Sequence, residues 1–184
     1  MCRYRMSRYE EAVKFLDQAI AVKPDYIVAF SSRGAAKSSA GDVAGAIKDF
    51  DRAIELDPKN TFAFWNRGEI EIKQGNYDKA IADLTKASEL DPTYSYPLQL
   101  RGQAKRAKKD YQGAVADFTA AYGLFKGAYI LMHRGLTYMD MGKTAEAKKD
   151  FDEAVKLYPA IKPEIDREIA KTKAVAATVA GKTK

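Results

Sequence analysis

The chain has 184 residues with a formal net charge of +6, and 46% of its residues are hydrophobic and 30% charged. That balance fits one folded domain or one short repeat array and excludes an intrinsically disordered chain. One cysteine, Cys2, excludes an internal disulfide framework and a cysteine-rich metal site.

No apolar run approaches the roughly 18 residues of a membrane-spanning helix. No apolar h-region follows the basic residues of the opening stretch. Cytoplasmic residence is therefore the expectation if Met1 is the true start, and export if a signal sequence lies upstream. The basic excess is local. Arg101, Lys105, Arg106, Lys108 and Lys109 form one cluster, and the lysine-bearing tail supplies much of the rest. Such a run reads first as a solvated helix face. Nucleic-acid binding is the weaker alternative, because no aromatic residues interleave with the basic ones.

An internal period organises everything else. Arg-Gly recurs at Arg33-Gly34, Arg67-Gly68, Arg101-Gly102 and Arg134-Gly135, and Asp followed by an apolar residue recurs in the same phase at Asp49, Asp83, Asp117 and Asp150. Small residues keep phase at Ala46, Ala80, Ala114 and Ala147, and again at Ala53, Ala87, Ala121 and Ala154.

In chain order, residues 1–24 match only the second half of a unit, with Tyr9, Ala12, Leu16, Ala19 and Pro24 in register. Met1 to Met6 then correspond to the last residues of a first helix. Units 27–60, 61–94, 95–127 and 128–161 follow, each reading as two antiparallel helices. In the 61–94 unit the first helix ends at Gly75, suited to the left-handed position after a helix. Asn76 can cap the second helix, as Asp42 and Asp110 can in their units. Tyr77, Ala80, Ile81, Leu84, Ala87 and Leu90 form its apolar stripe, and Pro92 stops it. The glycine inside each first helix predicts close backbone approach, since it costs about 1 kcal/mol of helix propensity against alanine. The 95–127 unit lacks a closing proline and ends in a two-glycine joint, Gly123–Gly127, where a local change of superhelix angle is expected. Residues 162–175, opened by Pro163 and striped with Ile161, Ile165 and Ile169, read as a capping helix. Residues 176–184 read as a frayed tail.

These residues resemble the tetratricopeptide repeat. The bulky residue is Phe30, Phe64, Leu98 or Leu131, and the following Gly, the two Ala positions, the Phe/Leu between them and most of the closing Pro residues fall in register. The resemblance covers about Met1 to Pro159. It implies an all-α, right-handed superhelical solenoid of antiparallel helix pairs, one array over residues 1–175. It also implies a non-catalytic scaffold binding a partner peptide in a concave groove lined mainly by first helices. Two departures stand out: the family's Leu before Gly is Arg in every full unit, and its aromatic is Lys37, Glu71, Lys105 or Tyr138. An Arg turned toward the second helix is costly to bury alone. In a hairpin folded at Gly75, Arg67 and Asp83 lie equally far from the turn. Ion pairs Arg33–Asp49, Arg67–Asp83, Arg101–Asp117 and Arg134–Asp150 are predicted; the alternative is that each Arg reaches water along its stem.

The groove-facing stripe is predicted to hold Phe62, Trp65, Asn66, Glu69 and Ile72, then Tyr96, Gln99, Gln103 and Arg106, then Tyr129, Met132, His133 and Met139. Phe62, Tyr96 and Tyr129 would form an aromatic ladder, and methionines suit an adaptable apolar surface. With one histidine, no metal-ligand spacing and no phosphate-cradling loop, the chain is read as a non-enzyme without cofactor. The partner is a protein or peptide, with acidic character favoured by Lys105–Lys109. Homo-oligomerisation through the N-terminal edge is the alternative function.

Overall fold

The computed structural model describes the backbone of residues 2–182 and the side chains of residues 8–172. Every described element is helical, and two compact units, Met1–Pro92 and Thr93–Lys184, divide the chain.

The first unit holds α1 (Cys2–Val22), α2 (Ile27–Ala40), α3 (Val43–Leu56), α4 (Thr61–Lys73) and α5 (Tyr77–Leu90). Helices α2 and α3 pack as one hairpin and α4 and α5 as the next, while α1 lies against α2 and α3 against α4. The second unit holds α6 (Ser95–Ala107), α7 (Tyr111–Leu124), α8 (Ala128–Asp140), α9 (Thr144–Leu157), a 3₁₀ turn (Pro159–Ile161) and α10 (Lys162–Lys182). Its hairpins are α6/α7 and α8/α9, with α7 against α8 and α10 against α8.

Close packing of small residues sets the hairpin spacing. A Cβ at Gly34 would stand 2.9 Å from the Phe50 ring, one at Gly68 2.8 Å from Leu84 Cγ, and one at Gly102 2.9 Å from the Phe118 ring. Each first helix thus presses its backbone against the large residue of its partner, and Phe50, Leu84 and Phe118 are completely buried. Inserting a methyl group there overpacks the core, at a cost of about 1–3 kcal/mol.

The predicted turn chemistry is present, with one exception and one departure. Gly41, Gly75 and Gly142 adopt positive φ, and the same position in the third hairpin is Lys109, at φ 65. The side chains of Asp42 and Asp110 accept hydrogen bonds from the amides of Gly45 and Gly113 and cap α3 and α7. Asn76 stands at the N-cap of α5 but makes no side-chain cap bond; its amide nitrogen donates to Glu71 Oε2 at 2.7 Å instead. The reason is burial. Glu71 is 6% exposed, and its carboxylate needs a donor more than the helix end does. Asn60, not anticipated from the sequence, caps α4 through the Ala63 amide.

Both ends depart from the sequence reading. Helix α1 is continuous from Cys2, with no turn dividing a first-helix remnant from a second helix. Ser7 stands where Gly41 and Gly75 stand, so the break residue is absent. At the other end α10 is helical through Lys182, beyond residue 175 and into the stretch expected to fray. The alanines of AVAATVAG favour helix. The side chains of 173–182, and residues 183–184 altogether, lie outside the described residues.

All four predicted Arg–Asp pairs form, and each is a two-pronged fork. Arg33 Nε and Nη2 donate to Asp49 at 2.8 and 2.6 Å, and Arg67 to Asp83 at 2.7 and 2.7 Å. Arg101 donates to Asp117 at 2.9 and 2.6 Å, and Arg134 to Asp150 at 2.8 and 2.8 Å. The remaining nitrogen reaches backward: Arg33 Nη1 to Asp17 at 2.6 Å, Arg67 Nη1 to Asp51 at 2.5 Å, and Arg134 Nη1 to Thr119 Oγ1 at 3.1 Å. Lys37 and Lys105 add second cations to Asp49 and Asp117 at 2.9 and 2.8 Å. The fork is shielded on one face, because Arg33 and Arg67 lie 5.4 and 5.7 Å from the ring centroids of Phe30 and Phe64.

Asp83→Ala strands the half-buried Arg67 guanidinium. We expect a loss of about 3 kcal/mol, the lower end for breaking a buried pair because Asp51 remains. Replacing both partners, Arg67→Met with Asp83→Leu, should restore most of it. Urea midpoints of the two variants check this.

Candidate interaction surface

The first helix of each hairpin has one face against its partner helix and one face left over. On α4, Phe64 and Gly68 are buried against α5, and the leftover face carries Phe62, Trp65, Asn66, Glu69 and Ile72. Phe62 is 42% exposed and meets Trp65 edge to face, with centroids 5.2 Å apart and ring planes at 77°. Residues three apart on a helix are neighbours, so this aromatic pair needs no tertiary contact to form. Asn66 donates to the Phe62 carbonyl at 2.8 Å, and Glu69 pairs with Lys73 at 2.7 Å. Ile72 is partly buried. On α2 the same positions are small: Ser31 is buried, donates to the Ile27 carbonyl at 2.7 Å and accepts from Asn60 at 3.4 Å.

In the second unit Tyr96, Gln99 and Gln103 are partly exposed along α6. Tyr96 packs beside Tyr94, with centroids 6.2 Å apart. Tyr129 is 43% exposed, and its hydroxyl donates to Glu164 Oε2 at 3.1 Å. The expected aromatic residues are therefore at the surface, each held by a local partner.

Two sequence-predicted residues, Met132 and Met139, are placed differently. Met132 is 2% exposed and packs with Leu136, Ile161 and Ile165, so it offers no surface. Met139 packs partly against the same cluster and lines an apolar cleft with Ile165 and Ile169. Both corrections have one cause: the stretch from Ile161 along α10 covers this part of α8. Arg106 is engaged by Asp140 at 2.6 Å. His133 lies partly buried, stacked on Phe118 with centroids 5.9 Å apart.

The basic cluster is also different from its appearance in the sequence. Arg101 and Lys105 both bind Asp117, and Arg106 binds Asp140. Three of its five cations are thus held by two aspartates, with Arg101 and Lys105 sharing Asp117.

One group escaped the sequence reading. Phe125, Leu157, Tyr158 and Tyr129 are all more than 40% exposed, and they line one open cavity of about 420 Å³ together with Gln99 and Lys126. The signal was a break in phase, since the residue ending the second helix is Asp57 or Asp91 in the first unit but Phe125 or Tyr158 in the second. Among the described residues no cluster of His, Cys, Asp and Glu could hold a metal ion, and no helix is long and apolar enough to cross a membrane.

Helical hairpins repeated at this period, each with one packing face and one leftover face, the latter aromatic and amide-bearing on α4 and α6, define a helical-repeat interaction scaffold. Tetratricopeptide repeat models match residues 1–26, 33–95 and 128–161. The chain belongs to the tetratricopeptide repeat family. Among solved structures, MamA 41-end from Desulfovibrio magneticus RS-1 matches with TM-score 0.77 and 19% identity over 86% of this chain and 93% of that chain. TTC0263, a thermophilic TPR protein in Thermus thermophilus, matches with TM-score 0.71 and 18% identity over 91% of this chain and 93% of that one. These likenesses show the fold, an all-α solenoid of antiparallel helix pairs. No curated protein matches in sequence.

The environment of His133 has a consequence for stability. Burial first, and the Arg106 charge second, push its pKa down to about 4, against a weaker opposing pull from Glu168. The unfolded chain therefore takes up a proton near the ordinary value of about 6.5 while the folded chain resists it. Stability should fall as pH drops from about 6.5 toward 4. His133→Gln removes this contribution, so between pH 7.5 and pH 5 its urea midpoint should fall less than that of the unaltered protein.

Proposed function

We propose that the protein is a non-catalytic scaffold that binds an extended or helical segment of a partner protein along the leftover faces of its first helices. The observation that carries this reading is the Phe62–Trp65 pair. Two large aromatic side chains sit on the face of α4 that its own hairpin does not use, flanked by Asn66 and Glu69. Aromatic anchors with polar neighbours are what peptide grooves use for affinity and register. Tyr96, Gln99, Gln103 and Tyr129 continue the same chemistry in the second unit, whereas Met132 is left out of the surface.

A second reading is self-association through α1. Phe15 and Val22 are 70% and 86% exposed. Ala12, Leu16 and Ala19 are partly exposed at positions that are completely buried in later hairpins, such as Ala80, Leu84 and Ala87. Light scattering across a wide concentration range tests it, and a monomer at every concentration removes it.

The groove reading is checked by affinity capture with the unaltered protein and with a Trp65→Ala/Tyr96→Ala variant whose helicity is confirmed by circular dichroism. Partners recovered by the unaltered protein should be lost, or reduced by about tenfold, with the variant, as expected for removal of two aromatic anchors. Equal recovery of the same partners by both would end the groove reading.

A further inference from the structure

In α3 and α5 the residue closing the second helix is an aspartate, Asp57 or Asp91, and Asp57 serves its turn by accepting a hydrogen bond from the Lys59 amide at 2.9 Å. In α7 and α9 that position is aromatic, Phe125 or Tyr158. The change exchanges a turn-forming polar group for ring surface facing outward: Phe125 is 63% exposed and Tyr158 48%. Exposed aromatic residues in adjacent turns gain nothing from the hairpin cores.

The Phe125 ring is nevertheless held. A Cβ at position 127 would lie 2.9 Å from Phe125 Cε1, so Gly127 is the residue that lets this ring lie against the start of α8. The Gly127 amide also donates to the Phe125 carbonyl at 2.9 Å, tightening the turn. The opposite side is held too, because Tyr129 is tied to Glu164 through its hydroxyl. Preset rings lose little freedom when a ligand arrives. With Leu157 and Gln99 they bound the cavity of about 420 Å³, within the usual range of ligand pockets.

Lys126 is the one charged residue among the described residues lining this cavity. Its ammonium lies 4.2 Å from the Tyr122 ring centroid, an attraction to the ring face that a carboxylate can supplement without first breaking an ion pair. An apolar pocket with a cation on the Lys126 side, and the Glu164 carboxylate bound to Tyr129 on the other, selects an apolar side chain whose neighbouring acid lies on the Lys126 side. A lone anion would lack the ring contacts, and a basic segment would meet Lys126.

We infer that this turn pocket captures an acidic peptide segment of a partner protein bearing an aromatic side chain. The ring enters among Phe125, Tyr129 and Tyr158, and a neighbouring carboxylate pairs with Lys126. The inference shares Gln99 and Tyr129 with the groove reading and otherwise rests on residues that reading does not use, so the two can fail separately.

The test is fluorescence anisotropy on the full chain with a fluorescein-labelled acetyl-Glu-Glu-Phe-Glu-Glu peptide. Two control peptides replace the Phe with Ala, or every Glu with Lys. The acidic aromatic peptide should bind in a saturable manner, and each control at least about fivefold more weakly, the scale of losing one ring contact or one ion pair. Phe125→Ala and Lys126→Glu, both at exposed positions, should each weaken binding by a similar factor, and Trp65→Ala should leave it unchanged. No binding, equal binding of either control, or indifference to both pocket substitutions overturns the inference. Loss of binding in Trp65→Ala with none in Phe125→Ala overturns it too, while leaving the groove reading intact.

Discussion

In every full hairpin an arginine guanidinium grips an aspartate on the partner helix with two parallel hydrogen bonds of 2.6 to 2.9 Å. The aspartate side chains are nearly buried, at 5–10% exposure, and the arginine side chains are 16–22% exposed. Taking both charges out of water costs several kcal/mol each, and the mutual attraction roughly offsets that cost instead of adding net stability. What the fork supplies is position. If the two helices slid by one residue, a buried carboxylate and a guanidinium would both lose their partners, and the penalty would exceed what hydrophobic contact could recover. The third arginine nitrogen carries the same constraint to the preceding helix through Asp17, Asp51 or Thr119.

The glycines act with the fork. Gly34, Gly68, Gly102 and Gly135 sit one residue after the arginines and let Phe50, Leu84, Phe118 and Phe151 approach the helix backbone. One register therefore satisfies both the charged pair and the close-packed pair. With these inner faces so constrained, the leftover faces are free to vary. In the same positions the first helices carry small polar residues on α2, aromatic and amide groups on α4 and α6, and a mixture on α8. The proposed recognition of a partner rests on this variation.

The turns vary as well, and for a related reason. A turn after a second helix requires only that the chain reverse and the helix stop. Asp57 does this with a side-chain hydrogen bond, and Phe125 does it in extended backbone with Gly127 beside it. Because both solutions are adequate for folding, the replacement of aspartate by Phe125 and Tyr158 is open to serve recognition. The position breaks the phase of the repeat.

Much of the architecture was legible in the sequence because it rests on local rules repeated in phase. Helix ends follow from Gly41, Gly75 and Gly142; inner faces follow from the spacing of Gly and Ala; and the Arg–Asp pairs follow from equal distance to the turn. Even Trp65 and Phe62 could be assigned to one face, since three residues along a helix make them neighbours. What tertiary structure decided was which surfaces remain open. Met132 reads as a groove residue from its register, and it is buried because Ile161 and Ile165, some thirty residues later, close over it. Arg106 and Lys105 read as a cationic patch, and each is drawn into an ion pair because Asp140 and Asp117 come from other helices. Asn76 reads as a cap, and the burial of Glu71 draws it elsewhere. Periodicity along one chain states which way a residue points; whether another helix already stands there depends on contacts between helices, which no local pattern encodes.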